Sequence, residues 1–253
     1  MKYGIFLAIL LLWPCRGKVG AQAAAVGLYN EANQLYRQGA FGEAQEKYLQ
    51  SIAGGLVDVR CYYNLANASF KAGLLGEAIL WYERALRLDP RDEAALANLR
   101  FANAVKKDRD PPAEGNAVWH FLVDLYRYPT PNELCLAFSF LLATVFAIAT
   151  WRLWRQTPSF AVWLSALLFC AVATVATGVF LAARIHQQEE RNMAIVTAAE
   201  ETARSEPDAD KTALFVIREG TKVQIERREG TWVLVRLGNG FGGWLPAAAL
   251  TQI

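Results

Sequence analysis

The sequence contains few of the residues that build reactive centres. It has four cysteines and two histidines among 253 residues, and the cysteines lie far apart, at Cys15, Cys61, Cys135 and Cys170. Neither histidine belongs to a Cys/His cluster or to a Ser/His/Asp arrangement. We therefore expect no disulfide framework, no metal site, no catalytic residue and no cofactor, and we interpret the protein as a non-enzyme.

An excess of one charge is also missing. The 26 basic residues nearly cancel the 24 acidic ones, for a formal net charge of +2. A nucleic-acid-binding domain normally carries a clear basic surplus. We therefore expect no nucleic-acid partner.

A glycine pattern near the C-terminal end resembles a nucleotide-binding loop but lacks its context. Gly238, Gly240 and Gly243 have the spacing G-x-G-x-x-G, yet only seven residues follow Pro246. A dinucleotide loop must open into a helix whose N-terminus holds the pyrophosphate, within a βαβ unit of about 30 residues. These glycines therefore predict hairpin turns and barrel corners, not a nucleotide site.

Hydrophobic residues are concentrated in three runs. The run Gly4–Trp13 follows Lys2 and precedes Ala21-Gln22-Ala23, which is typical of a signal peptide covering residues 1–23, although retention as an uncleaved anchor is an alternative. The runs 134–151 and 160–183 have no charged residue. As helices they reach about 27 and 36 Å, enough to cross a membrane core of about 30 Å. Two buried helices of a soluble core are the alternative.

The short segment between the two runs indicates orientation. Residues 152–159 include Arg152 and Arg155, which favour the cytoplasmic side. We predict a helical hairpin in the bacterial inner membrane, with the preceding and following domains both in the periplasm. In the linker 109–133, the aromatic-rich stretch 116–127 predicts an interfacial helix.

An internal repeat of 34 residues precedes the first span. The offset aligns Tyr29 with Tyr63, Asn33 with Asn67, Gly39 with Gly73, Ala44 with Ala78, and Tyr48 with Tyr82. Each copy predicts two antiparallel helices with a glycine turn, and "YYNLANASFKAGLLGEAILWYERALRLDP" resembles the tetratricopeptide repeat. We predict a domain over 24–108, with repeats 25–58 and 59–92 and a cap helix over 93–107.

The first helix of each such repeat lines a concave groove, which suggests a peptide-binding site. Asparagines, aromatic residues and cations recur on the predicted face. The candidate residues are Tyr29, Asn33, Tyr36, Arg37, Arg60, Tyr63, Asn67, Phe70, Lys71, Asn98 and Phe101. The alternative is that these asparagines only satisfy helix ends.

The last part of the chain has short alternating runs typical of β-strands. They cover 194–197, 213–217, 222–226, 232–236 and 243–245, with turn signals at Glu219-Gly220 and Glu229-Gly230. The order of Glu219-Gly220-Thr221, Trp232-Val233 and Gly243-Trp244-Leu245-Pro246 resembles the bacterial SH3-like domain over 190–253. Trp232 and Trp244 are expected in its core, with ligand binding as the alternative.

The predicted fold class is multidomain α and β: a short α-solenoid, a transmembrane helical hairpin and a small SH3-like β-barrel. This order of parts resembles the BatE-like proteins of the bacterial aerotolerance (Bat) operon family. The resemblance implies a scaffold that binds other Bat membrane proteins and a MoxR-type ATPase in envelope-stress or aerotolerance functions. A cell-wall sensor, with the SH3-like domain contacting peptidoglycan, is the alternative function.

Overall fold

The computed structural model describes residues 16–108, 118, 121, 126, 128–154, 159–190 and 192–253. The first fifteen residues of the predicted signal peptide and most of the predicted interfacial helix, 116–127, lie outside the described residues, as do positions 155–158 of the predicted cytoplasmic loop. The chain divides into two compact units, one containing residues 1–111 together with 192–253 and the other containing residues 112–191.

The helical part of the first unit consists of antiparallel helices in chain order. They are α1 (Arg16–Arg37), α2 (Phe41–Ala53), α3 (Val59–Lys71), α4 (Leu75–Leu88) and α5 (Glu93–Val105). Helix α1 packs against α2, and α3 packs against α4, as the repeat predicts. The predicted helical repeats are therefore confirmed.

Small and large side chains alternate in the core of the repeats. Ala44 and Ala78 are fully buried, which lets paired helices approach closely, while Tyr48 and Tyr82 fill the space between them. Gly39 and Gly73 adopt φ values of 81° and 84° at the equivalent turns, a left-handed conformation that glycine adopts without steric cost. The repeat in the sequence is thus a repeat of packing and of turn geometry.

Two of these helices begin at aspartate caps. The Asp58 side chain accepts hydrogen bonds from the backbone N–H groups of Arg60 and Cys61, and Asp92 accepts one from Ala95. These bonds satisfy N–H groups that have no partner inside the helix. Helix α4 differs, because its N-cap residue Leu74 makes no side-chain cap bond.

The second unit contains two long apolar helices, α6 (Pro131–Trp154) and α7 (Phe160–Glu190), which pack against each other. The Trp163 indole N–H donates to the Ile148 carbonyl at 2.9 Å. By length and composition, the segments Pro131–Trp151 and Phe160–Ala183 could each span a membrane. Helix α7 continues beyond the predicted span to Glu190, because no proline or glycine interrupts its polar end.

The C-terminal part forms one antiparallel sheet. Its strands are β1 (Met193–Val196), β2 (Glu200–Arg204), β3 (Ala213–Arg218), β4 (Lys222–Glu229), β5 (Trp232–Leu237), β6 (Gly242–Pro246) and β7 (Leu250–Gln252). Their order in the sheet is β3-β2-β6-β5-β4-β1-β7. The sheet agrees with an SH3-like fold, but it is not closed into the predicted barrel, because β3 and β7 lie at its two edges and do not pair with each other.

The sheet buries a small apolar core around Val223, Val233, Val235 and Leu245. Trp244 is buried and receives the guanidinium of Arg227 over its ring at 5.2 Å, whereas Trp232 is half-buried. Gly240 has a φ of 86° in the turn between β5 and β6. The G-x-G-x-x-G spacing thus contributes a hairpin turn and the first residues of a strand.

The repeats and the sheet pack together through α4, a contact that the sequence did not predict. Ile195 of β1 joins the buried core of the repeats, and Ile253 packs against it. We call the contacts between α4, Asp108 and the sheet the interdomain clasp. Its residues are Gly76, Ile79, Glu83, Arg84, Arg87 and Asp108 on the helical side, and Ile195, Val196, Arg218, Glu219, Gly220, Lys222, Gln252 and Ile253 on the sheet side.

Candidate groove of the helical repeats

The site begins with an asparagine pair that joins the first helices of neighbouring repeats. The Asn33 side-chain oxygen on α1 accepts a hydrogen bond from the Asn64 amide of α3 at 3.0 Å. The same oxygen accepts from the Tyr48 hydroxyl at 2.6 Å, and the Asn64 amide also reaches the Tyr29 hydroxyl at 3.2 Å. The four side chains therefore hold one another in fixed orientations.

The same arrangement recurs one repeat later. The Asn67 side-chain oxygen on α3 accepts from the Asn98 amide of α5 at 2.9 Å and from the Tyr82 hydroxyl at 2.5 Å. The Asn98 amide also donates to the Tyr63 hydroxyl at 3.1 Å. These bonds link neighbouring helices through side chains. The structure thus brings five predicted site residues into two equivalent clusters: Tyr29, Asn33, Tyr63, Asn67 and Asn98.

Asn64 belongs to the first cluster but is not among the site residues predicted from the sequence. It occupies the position equivalent to Asn98, because the two residues are 34 apart in the sequence. That match was visible in the repeat and could have identified Asn64. We therefore include Asn64 in the candidate groove.

Each pair leaves one donor and one acceptor unused. Asn33 and Asn67 use their side-chain oxygens, so their NH₂ groups have no partner among the residues that the structure describes. Asn64 and Asn98 use their NH₂ groups, so their oxygens are free within the same residues. All four side chains are half-buried. The two pairs thus present a repeated donor–acceptor pattern on a fixed scaffold.

The predicted aromatic residues lie in ring pairs. Tyr36 meets Phe41 at 5.3 Å between ring centroids, and Phe70 meets Phe101 at 5.7 Å. Phe101 is 59% exposed, so a large apolar face remains open to solvent beside the Phe70 ring. Such a face can pack against a ligand side chain.

The predicted cations have different surroundings. Arg37 and Lys71 are exposed in the last turns of α1 and α3, at equivalent positions of the two repeats. The Arg60 guanidinium instead lies 3.4 Å from the Asp58 carboxylate that caps α3. Arg37 and Lys71 are therefore the better placed of the three to meet an acidic ligand.

Burial keeps the titratable groups beneath the groove neutral. It raises the pKa of Tyr48 and of Tyr82 above the ordinary tyrosine value, so both hydroxyls remain donors to their asparagines. Burial also raises the pKa of the Cys61 thiol to about 11. A fully buried thiol with that pKa is a poor nucleophile.

Comparison with known proteins agrees with this architecture. A tetratricopeptide repeat family model matches residues 29–93, and a bacterial SH3 domain model matches residues 198–252. No match to a curated protein is found.

Two solved structures are similar to the helical part. One is the second tetratricopeptide domain of Spaghetti (RPAP3) bound to the HSP90 peptide SRMEEVD, with 25% identity and a TM-score of 0.32, covering 35% of this chain and 80% of that one. The other is the first such domain of the same protein with the same peptide, with 21% identity and a TM-score of 0.22, covering 32% of this chain and 90% of that one. The chain is thus similar to tetratricopeptide repeat proteins in one part and to bacterial SH3 domains in another.

Proposed function

We propose that this protein is a non-enzymatic, membrane-anchored scaffold whose helical groove binds an extended segment of a partner protein. The observation that carries the proposal is the pair of asparagine clusters, each with a free amide donor and a free amide acceptor. An extended polypeptide presents backbone N–H and C=O groups in alternation. Two equivalent donor–acceptor pairs on adjacent repeats match that alternation.

The rest of the groove adds selectivity to this backbone recognition. The exposed ring of Phe101 offers a surface for an apolar ligand side chain, and Arg37 and Lys71 offer charges for an acidic one. The preferred ligand is therefore an extended segment with apolar and acidic side chains.

The location follows from the two apolar helices. We place α6 and α7 in the bacterial inner membrane as a hairpin, with Arg152, in the last turn of α6 beyond the candidate span, and Arg155, which follows it in sequence, on the cytoplasmic side. Packing of the repeats against the sheet in one unit supports placing both on the same side of the membrane, the periplasmic side. The order of the parts favours membrane proteins of the Bat type and a MoxR-type ATPase complex as the setting.

The test compares crosslinked partners from membranes that contain either the natural protein or a double variant, Asn33→Asp with Asn67→Asp. Aspartate keeps the oxygen that accepts from Tyr48 or Tyr82 but replaces the free NH₂ donor with a charged acceptor. Asn30→Asp is the matched control, since it makes the same chemical change on α1 at a residue that is exposed and outside both clusters. We expect the double variant to lose its partners and the control to keep them. An unchanged partner set in the double variant contradicts the groove assignment.

A second candidate function is a cell-wall sensor. The match of residues 198–252 to the bacterial SH3 domain favours it, since such domains commonly bind peptidoglycan. The full chain in detergent is sedimented with purified peptidoglycan, and co-sedimentation that is lost on Trp232→Ala supports this function. Absence of co-sedimentation removes it.

A further inference from the structure

The sheet leaves an open seam, separate from the helical groove. A cavity of about 730 Å³ lies between edge strand β3 and the opposite wall, which is formed by the start of β4 and the turn between β5 and β6. Lys107 and Asp108, which follow α5, contribute to the lining. This volume lies within the range of small-ligand and peptide pockets, about 300–1,000 Å³.

The backbone of β3 has one edge free for pairing. The Arg218 N–H donates to the Asp108 carboxylate at 2.9 Å. The backbone N–H of the next residue, Glu219, points the other way and donates at 3.3 Å to the carbonyl of Ala199, which directly precedes β2. Because N–H and C=O directions alternate along a strand, Val216 also points its backbone groups away from β2. Strand β3 has no second neighbour in the described sheet, so these groups of Val216 face the seam.

Apolar side chains accompany this free edge. Leu214 and Val216 are 50% and 43% exposed, and Phe241 on the opposite wall is 66% exposed. An edge strand with exposed apolar residues is a natural template for an additional strand. The seam therefore has both the hydrogen-bonding groups and the apolar surface that strand addition uses.

The charges at the seam favour an acidic ligand. Arg218 pairs with Asp108 at 3.0 Å, and Lys222 pairs with Glu83 at 2.8 Å. Lys107 is exposed and has no carboxylate partner within the described part of the chain. A single available cation beside an apolar seam complements one acidic residue of a bound segment.

From this geometry we infer that the seam is a second peptide site, which binds an extended polypeptide of a partner protein by strand addition to β3. The bound segment pairs its backbone with Val216, places apolar side chains against Leu214 and Phe241, and directs an acidic side chain to Lys107. It extends the sheet by one strand. This site is independent of the helical groove, so the two could hold two segments at once.

The test uses the full chain in lipid nanodiscs and a phage-displayed library of random seven-residue peptides. Selected peptides are synthesised in two N-methylated forms, each methylated at alternate residues. In an added strand, only every second N–H faces β3. We expect one form to lose at least tenfold in affinity while the other binds as the parent does. Equal effects of both forms, or a selection that yields no binder, overturns the proposal.

Variants of the protein locate the site. Val216→Pro removes the outward N–H while leaving the bonds to β2, and proline is tolerated at such edge positions; Val216→Thr is its matched control. We expect Val216→Pro and Lys107→Glu to weaken the selected acidic peptides at least tenfold, and Val216→Thr or the groove variant Asn33→Asp with Asn67→Asp to leave them unchanged. If every selected peptide loses binding in the groove variant and none loses it in Val216→Pro, the assignment to the seam is overturned.

Two further arms exclude other occupants. If purified muropeptides displace the selected peptides, the seam serves the cell wall and the proposal is wrong. If the protein forms a dimer that Val216→Pro dissociates, a second copy of this chain occupies the seam and the proposal is likewise wrong. The proposal is supported if the protein is a monomer and muropeptides do not displace the selected peptides.

Discussion

The Glu219 carboxylate accepts a hydrogen bond from the Gly76 backbone N–H at 3.0 Å, across 143 residues of sequence. Gly76 is the second residue of α4, the helix whose own N-cap residue makes no side-chain bond. Asp58 and Asp92 cap α3 and α5 from within the repeats. The sheet therefore supplies to α4 a side-chain acceptor for a first-turn N–H, which α3 and α5 obtain from their own N-cap residues.

Removing this distant cap should destabilise the first unit. We expect Glu219→Ala to lower the free energy of unfolding by about 1 kcal/mol, the typical value for loss of an N-cap. Glu219→Gln, which keeps an acceptor oxygen, should cost less. Urea unfolding of the full chain in detergent measures the difference. Glu206→Ala is the control, since the pair of Glu206 with Lys211 is exposed to solvent and such pairs contribute little to stability. Equal effects of Glu206→Ala and Glu219→Ala would contradict the cap.

Close packing at Gly76 should make the clasp intolerant of a methyl group. A Cβ at Gly76 would lie 2.7 Å from the Val196 carbonyl oxygen, which is backbone and cannot rotate away. We expect Gly76→Ala to cost about 1–3 kcal/mol, as overpacking does. Hydrogen exchange should show faster exchange in α4 and β1.

The matched control for that change is Gly42→Ala. Gly42 is the 34-residue equivalent of Gly76, but a Cβ there would meet nothing within 4 Å. Alanine favours a helix over glycine by up to about 1 kcal/mol, so this variant should be neutral or slightly stabilising. Similar exchange rates in the two variants would mean that the clasp does not constrain Gly76.

The Asp58 cap should give a pH-dependent contribution to stability. Burial of Asp58 tends to raise the pKa of its carboxyl, but the hydrogen bonds and charge of Arg60 outweigh it and leave the pKa below its usual value. The carboxylate therefore stabilises the fold above the unfolded-state pKa of about 3.9, and this is lost as pH falls through the folded-state value. Asp58→Ala should cost about 1 kcal/mol near neutral pH, and the difference should shrink below about pH 4.

Asn at the same position separates charge from capping. Asp58→Asn retains a side-chain oxygen that can cap the helix, so we expect it to cost less than Asp58→Ala near neutral pH, and the difference in stability between the two variants should not change with pH. Unfolding curves at several pH values measure both variants. A constant difference between Asp58→Ala and the natural protein over the whole acid range would show that the carboxylate charge is not involved.

The Cys61 thiol should report on unfolding of the repeats. Burial raises its pKa to about 11, so near pH 8 its thiolate fraction is roughly two orders of magnitude below that of an unfolded cysteine of pKa about 8.5. In a variant with the other three cysteines changed to alanine, alkylation should be very slow in buffer and fast in concentrated urea. Fast alkylation in buffer would show that α3 opens readily.

The sequence predicted the parts of this protein whose signals are local or periodic. Ala44 and Ala78, and Tyr48 and Tyr82, recur at the same positions of two copies, and their burial in one core follows from that periodicity. The two uncharged runs predicted α6 and α7 because a long apolar stretch is a local signal that needs no knowledge of the rest of the fold. The signal peptide, the membrane orientation, the groove and the Bat family resemblance stay predictions.

Two strands escaped the sequence analysis for physical reasons. Strand β2 reads EETAR, in which Ala203 is the only fully buried residue, so no alternating apolar pattern marks it. Strand β7 is three residues long and follows a short 3-10 turn at Ala247–Ala249. Both are strands because of their neighbours in the sheet.

The clasp could not be predicted because its partners are distant in sequence. Gly76 and Gly42 occupy equivalent positions in the repeat. They differ in the folded protein because Val196 and Glu219 pack against Gly76 and not against Gly42. In the same way, Arg218 looks like an ordinary charge at a strand end until Asp108 is placed 3.0 Å away. Contacts of this kind depend on the folded path of the whole chain.

The interdomain clasp can form only late in biosynthesis, because its two sides are translated at different times. Helix α4 leaves the ribosome long before Glu219 and Ile195 have been translated, so a nascent chain presents Gly76 without its acceptor and Ile79 without the strand turn that covers it. Every product truncated before residue 193 keeps that apolar site uncovered. An incomplete chain therefore differs from a finished one in exposing this surface of α4, and exposed apolar surface of this kind favours aggregation, chaperone binding and proteolysis.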